Sequence, residues 1–201
     1  MTSATIRLFI AIELPDDVQR ALGRVQHELQ RQLPDRLVRW TRPAGIHLTL
    51  KFLGDTPAAQ VPAIAQGIAT AAAAFAPCPL TVAGLGCFPH AHQPRVLWVG
   101  LSELPRSLLG LQRALDLQMS RLNFAREERA FAPHLTLGRV QERATAAERA
   151  TLTAVLARTQ VGVLGTMTVN AVTLFQSQLQ AGGAVYTALA HSSLSAAAAK
   201  E

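Results

Sequence analysis

The tetrapeptide His-Leu-Thr-Leu occurs twice in this chain, at residues 47–50 within "GIHLTLKFLG" and at 134–137 within "FAPHLTLGRV". Read as strands, both copies follow a two-residue period, so His47 and Thr49 share one face while Leu48 and Leu50 share the other. His134 and Thr136 stand in the same relation to Leu135 and Leu137. A fold that buries both leucine pairs must turn both His-x-Thr faces away from the core. If the two strands are neighbours about a pseudo-twofold axis, two imidazoles and two hydroxyls converge on one cleft. Outside the tetrapeptides there is little self-similarity, so the duplication speaks for a shared site more than for a repeated fold unit.

The surrounding pattern is α+β. "IRLFIAIEL" alternates and is β-branched, as a strand requires, and Pro15 with Asp16 and Asp17 then opens an amphipathic helix to about Gln32. "LVRWT" and "IHLTLKFLG" read as short strands, the second closed by Gly54. A second helix is expected over "TPAAQVPAIAQGIATAAAAF", with Thr56 as N-cap and Pro57 at its first position. "PLTVAGLGCF" and "RVLWVGL" read as strands around the loop "PHAHQP", followed by a helix over "LPRSLLGLQRALDLQMSRL". The second half repeats the style, with "HLTLGRV" as strand, "TAAERATLTAVLART" as helix, and "GTMTVNAVTLFQSQL" and "AVYTALAHSSL" as strands. Two related lobes, each supplying one His-Leu-Thr-Leu strand, form a single bilobal domain over residues 1–192. Residues 193–201, ending in "SAAAAKE", are expected to be a flexible tail.

With 49% hydrophobic and 16% charged residues, the 201-residue chain is globular, and it is long enough to bury a sizeable core. Its formal charge is +6, and only Lys51 and Lys200 are lysines, so nearly all the cations are arginines. The planar guanidinium fork matches phosphate oxygens bidentately and stacks on bases, which favours a polyanionic partner. Cys78 and Cys87 form no C-x-x-C pair, and "MTSATIRLFIAIEL" has too short an apolar run for a signal peptide; a reduced, cytoplasmic compartment is the expectation. "AIAQGIATAAAAF" is cut off by Pro77, well short of the roughly 20 residues needed to span a bilayer. No membrane partner is expected.

A lone His-x-Thr in a strand is usually a partly buried histidine bonded to a backbone carbonyl. Two identical copies on leucine-backed strands shift the balance toward chemistry. Paired imidazoles suit displacement at phosphorus, where one neutral ring takes a proton from the nucleophile and one charged ring gives a proton to the leaving oxygen. A pKa of about 6.5 lets both forms coexist near neutrality. The threonines can donate to non-bridging phosphoryl oxygens, whose charge grows in the transition state. Arg139 is the nearest cation on the second strand, but its odd spacing from His134 puts it on the opposite pleat unless a bulge or strand end intervenes. Neither copy has Asp, Glu, Cys or a second His at metal-ligand spacing, so no metal is expected. His90 and His92 fit a solvated loop, and His27 and His191 have no companion in the sequence. The chain carries no P-loop, no dinucleotide-binding glycine motif and no G-x-S-x-G nucleophile elbow.

"RLFIAIELP", "W…IHLTLKFLG", "FPHAHQPRVLWVGL" and "FAPHLTLGRV", in that order, resemble the bacterial RNA 2′,3′-cyclic phosphodiesterases, also called 2′-5′ RNA ligases, of the two-histidine (2H) phosphoesterase superfamily. The likeness runs to about His191. It implies a bilobal α+β fold with two pseudo-symmetric lobes, whose antiparallel sheets line a central cleft with helices outside. It further implies metal-independent, cofactor-free opening of 2′,3′-cyclic phosphates on RNA ends or nucleotides to 2′-phosphomonoesters, with 2′-5′ ligation as a reverse activity. Carried over by position, His47 and His134 are the catalytic pair, and Thr49, Thr136 and Arg139 bind substrate. The resemblance leans towards His47 as the acid and His134 as the base. Phe9, Trp40, Phe52 and Phe131 are candidates for a base-stacking platform. RNA ends or cyclic nucleotides are the expected partners of a monomer. A non-catalytic module that binds a nucleotide or RNA end in the same cleft is the alternative, although a binder would not need two proton-transfer groups.

Overall fold

The computed structural model describes residues 4–180 and 183–195. Nine strands form one antiparallel sheet: β1 (Thr5–Ile12), β2 (Val38–Trp40), β3 (Leu48–Pro57), β4 (Cys78–Phe88), β5 (Val96–Leu101), β6 (Leu135–Val140), β7 (Val163–Val169), β8 (Ala171–Gln180) and β9 (Gly183–Ser193). Four helices accompany them: α1 (Asp16–Gln30), α2 (Val61–Ala72), α3 (Arg106–Arg121) and α4 (Ala146–Arg158). The strand order is β7-β4-β5-β6-β3-β1-β8-β9, with β2 paired to β6 off that path. The order divides into two four-stranded lobes at the β6–β3 junction, where Leu48 pairs with Leu135. Both leucines are buried in the one core that the two lobes share.

The lobes are not the two halves of the sequence. α1 follows a strand of one lobe yet packs on β7 of the other, and the C-terminal end of α4 meets the same region through Arg158 bonded to Gln32. α3 follows β5 yet packs on β3 and α2, while α2 lies against β8 and β9. The chain passes repeatedly between the lobes. Among the described residues, no helix is long and apolar enough to cross a membrane.

Several boundaries differ from the sequence expectation. Gly54 does not close β3; with φ at +73° it carries the strand onward to Pro57. Thr56 is buried in the strand with its hydroxyl on the Gly54 carbonyl, so it caps nothing. A 3-10 turn over Ala58–Gln60 intervenes, and α2 starts at Val61 with Pro62 in its first turn. A Thr-Pro pair suits a strand end as well as a helix start, which is why the sequence misleads there. The segment expected as one strand over "GTMTVNAVTLFQSQL" breaks at Asn170 into β7 and β8 of different lobes. At the C-terminus, Ser193 closes β9 and Leu194 is buried with its N–H on Asn170 O; the rest of the expected tail, from Ala196, lies outside the described residues.

One ionic contact ties a motif strand to the helices. The Lys51 Nζ of β3 lies 2.6 Å from Asp116 Oδ1 of α3 and donates to Ala125 O at 2.8 Å. Burial alone would raise the Asp116 pKa, but hydrogen bonds from Lys51, the Glu127 N–H and Arg126 outweigh it and hold the carboxyl below its usual range. Lys51 and Asp116 are 5% and 7% exposed, whereas Arg126 is largely in solvent. Lys51→Ala would leave a buried carboxylate facing an exposed cation, and is expected to cost about 3–5 kcal/mol. The check is a lowered urea midpoint at unchanged slope; a loss below about 1 kcal/mol, the level of a solvent-exposed pair, would refute it.

Candidate active site

Bulges set which side chains reach the cleft. Against β1, Ala11 faces Thr49 and Ile10 faces Lys51, so Leu50 is an extra residue. The pleat therefore resets after Thr49, sending Lys51 to the helix side and Phe52 to the cleft. Against β5, Trp98 faces Thr136 and Leu97 faces Gly138, so Leu137 is likewise extra. That bulge brings Arg139 onto the cleft face, resolving the parity conflict in the sequence. The antiparallel register around Leu48 and Leu135 then sets His47 across from Thr136 and Thr49 across from His134.

The two histidines are anchored in the same way. His47 Nδ1 lies 2.9 Å from Gly45 O, and His134 Nδ1 lies 2.8 Å from Ala132 O, each the carbonyl two residues upstream. A carbonyl can only accept, so Nδ1 carries the proton in both rings and Nε2 is left for the cleft. Neither the Thr49 nor the Thr136 hydroxyl is held by a hydrogen bond among the described residues.

Their surroundings differ. The His47 ring stacks on Phe9 at 4.6 Å and meets Tyr186 edge-on at 5.1 Å, with Phe175 behind at 6.3 Å. Phe9, Ala11 and Phe175 form a small buried cluster of their own under this ring. Burial there lowers the His47 pKa below 6.5; the bond to Gly45 O opposes the shift, and the nearby His134 adds to it. His134 instead meets Phe88 edge-on at 4.9 Å and Trp98 at 6.5 Å. The Trp98 Nε1, beside this second histidine, is buried with no hydrogen-bond partner among the described residues.

The cleft has a volume of about 830 Å³, and all five expected site residues line it. A separate hollow of about 250 Å³ behind β2 contains none of them. Of the four aromatic candidates, Phe9 is buried as the floor beneath His47, and Phe131 packs against the main core. Trp40 also packs against the core, although it borders the cleft. Phe52, 66% exposed and in the cleft, alone offers a free face. Sequence reasoning missed Tyr186 and Phe175, because no local signal links β8 and β9 to a histidine on β3. It also missed Arg7 and Arg39, both on the cleft wall. His191, without a companion in the sequence, has Thr173 Oγ1 at 3.0 Å and Glu13 Oε2 at 3.9 Å. Around the two imidazoles the chain presents hydroxyls and guanidiniums rather than the third donor that a resident zinc needs, and no cluster of three His, Cys, Asp or Glu occurs among the described residues.

This chain is similar to known proteins over nearly its whole length. An RNA 2′,3′-cyclic phosphodiesterase of Methanothermobacter thermautotrophicus is 32% identical over 182 residues, covering 90% of this chain and 95% of the relative. The crystal structure of TT0787 of Thermus thermophilus superimposes with a TM-score of 0.78 at 28% identity, over 94% of this chain and 98% of that one. E. coli LigT complexed with 3′-AMP gives 0.75 at 26% identity, over 95% and 99%. The family described as LigT like Phosphoesterase matches residues 12–98 and again 99–186, one match for each His-x-Thr strand. The chain is an enzyme of the LigT-like phosphoesterase family.

Proposed function

We propose that the protein hydrolyses 2′,3′-cyclic phosphate ends of RNA or nucleotides to 2′-phosphomonoesters, using His47 and His134 as acid and base without a metal. The observation that carries this reading is the matched pair of imidazoles, each with Nδ1 fixed on its own backbone and Nε2 left for one cleft. The names of the relatives supply the substrate class. His134 Nε2 takes a proton from water as its oxygen attacks phosphorus. The P–O3′ bond breaks, and O3′ takes the proton from His47 Nε2. Solvent exchange then resets both rings. Thr49 and Thr136 donate to the non-bridging oxygens, Arg139 adds its fork, and Phe52 stacks on the base. A 5′-hydroxyl in place of water would give a 2′-5′ linkage. The enzyme acts as a cytoplasmic monomer; the unpaired thiols of Cys78 and Cys87 suit a reducing compartment.

Turnover of a 2′,3′-cyclic nucleotide, insensitive to chelator, is the expected result, and both His47→Ala and His134→Ala should lose about 10²–10⁴-fold in rate. Binding without turnover would leave the alternative of a nucleotide-binding module. Restoration of a dialysed enzyme by zinc or manganese alone would contradict metal independence.

Because burial lowers His47, its ring is neutral at pH 7 in the free protein. As the acid, it must gain its proton with the substrate, whose anionic phosphate raises the pKa again. Histidine NMR titration should place free His47 below 6.5 and move it upward on adding inorganic phosphate. An unshifted His47 in the free protein would refute this.

The pH profile cannot assign the roles, because exchanging acid and base gives the same bell-shaped curve. A substrate with sulfur at the leaving position can, since a thiol of pKa about 8.5 departs with little need of a proton. On that substrate His47→Ala should recover much of its lost rate while His134→Ala stays impaired. Recovery of His134→Ala instead would exchange the roles.

A further inference from the structure

β2 lies so close to β6 at Gly138 that a Cβ there would come within 2.6 Å of Val38 Cγ1 and 3.1 Å of the Arg39 carbonyl oxygen. This close approach sets Arg39 directly across from Arg139 in the antiparallel register. Both side chains are exposed and both line the cleft. Like charges opposite one another on neighbouring strands repel. Yet neither guanidinium has an ion pair or hydrogen bond among the described residues. The pair is thus a concentrated cationic spot whose repulsion a bound anion would relieve.

Its position says which anion. Arg139 lies about 7 Å along β6 from Thr136, two strand steps once the Leu137 bulge is discounted. Phe52 lies the other way, because β3 and β6 run in opposite directions from the Leu48–Leu135 pair. The cleft therefore has one end where Phe52 stands with Arg7, a central histidine pair, and another end where Arg39 and Arg139 face each other.

We propose that Arg39, with Arg139, forms a second phosphate subsite for the internucleotide phosphodiester on the 5′ side of the terminal cyclic nucleotide. This rests on the reading of the cleft as a cyclic phosphodiesterase site. The terminal base lies towards Phe52, the cyclic phosphate lies between the histidines, and the preceding phosphate sits at the arginine pair. The five N–H donors of Arg139 allow it to serve the reacting phosphate and its neighbour together. The substrate class is accordingly an oligoribonucleotide end in preference to a free cyclic mononucleotide.

The test compares kcat/KM for a cyclic mononucleotide, a dinucleotide ending in the same 2′,3′-cyclic phosphate, and that dinucleotide with an uncharged methylphosphonate linkage. At low salt the charged dinucleotide should exceed the mononucleotide by about tenfold or more, and the ratio should fall as salt rises. Arg39→Gln and the methylphosphonate should each collapse the ratio, while Arg39→Lys should restore part of it. Thermal unfolding of Arg39→Gln should occur no lower than that of the parent, since the substitution removes a like charge opposite Arg139 in the register. A ratio that survives Arg39→Gln, or that the methylphosphonate leaves intact, overturns the subsite. If the parent turns over none of these substrates, the proposed activity fails on its own. Affinities for 3′-phosphate dinucleotides with charged and methylphosphonate linkages then decide the subsite, and equal affinities overturn it.

Discussion

One antiparallel pair, Leu48 against Leu135, joins the two lobes, and the placement of the motif residues follows from it. Both side chains are almost fully buried, and each contributes on the order of 1.5–3 kcal/mol of transfer free energy. Because side chains alternate along a strand, burying these leucines obliges the histidines and threonines beside them to face the cleft. The convergence of imidazoles and hydroxyls on one cleft needs no separate device to assemble it. The burial that stabilises the junction also sets each imidazole across from the other motif's hydroxyl.

The sequence was legible wherever that alternation held. His47, Thr49, His134 and Thr136 lie where a two-residue period puts them, and the α+β order of elements is close to the one read from periodicity and caps. Legibility ended at the bulges. Leu50 and Leu137 look like ordinary core leucines, yet each adds a residue that resets the pleat, so Lys51 turns to Asp116 and Phe52 and Arg139 turn to the cleft. Nothing local marks them, because a bulge is a property of two strands and the sequence shows one at a time. The rings around His47 were hidden for the same reason: Phe9, Phe175 and Tyr186 come from β1, β8 and β9.

The ordinary fate of a strand histidine, a bond to a backbone carbonyl, turns out to be compatible with a catalytic role. Gly45 O and Ala132 O fix the tautomer and leave the far nitrogen to the cleft. The two copies then diverge through what surrounds them. One imidazole is stacked among phenylalanines and loses proton affinity by burial, while the other sits beside Phe88 and an indole whose N–H has no partner among the described residues. Identical tetrapeptides thus place their imidazoles in different surroundings.

The interleaved path of the chain bears on how the cleft works. Since α1, α2 and α3 each pack across the boundary from one or both of the strands they follow or precede, and a single core runs through both lobes, neither lobe can swing away without breaking packing throughout the molecule. The cleft is not a pair of jaws. A ligand meets imidazoles already anchored on their own backbone, while the threonine hydroxyls are left to turn towards it. Selection among ligands then falls to the rim, and a tighter grip has to come from more contacts along the cleft.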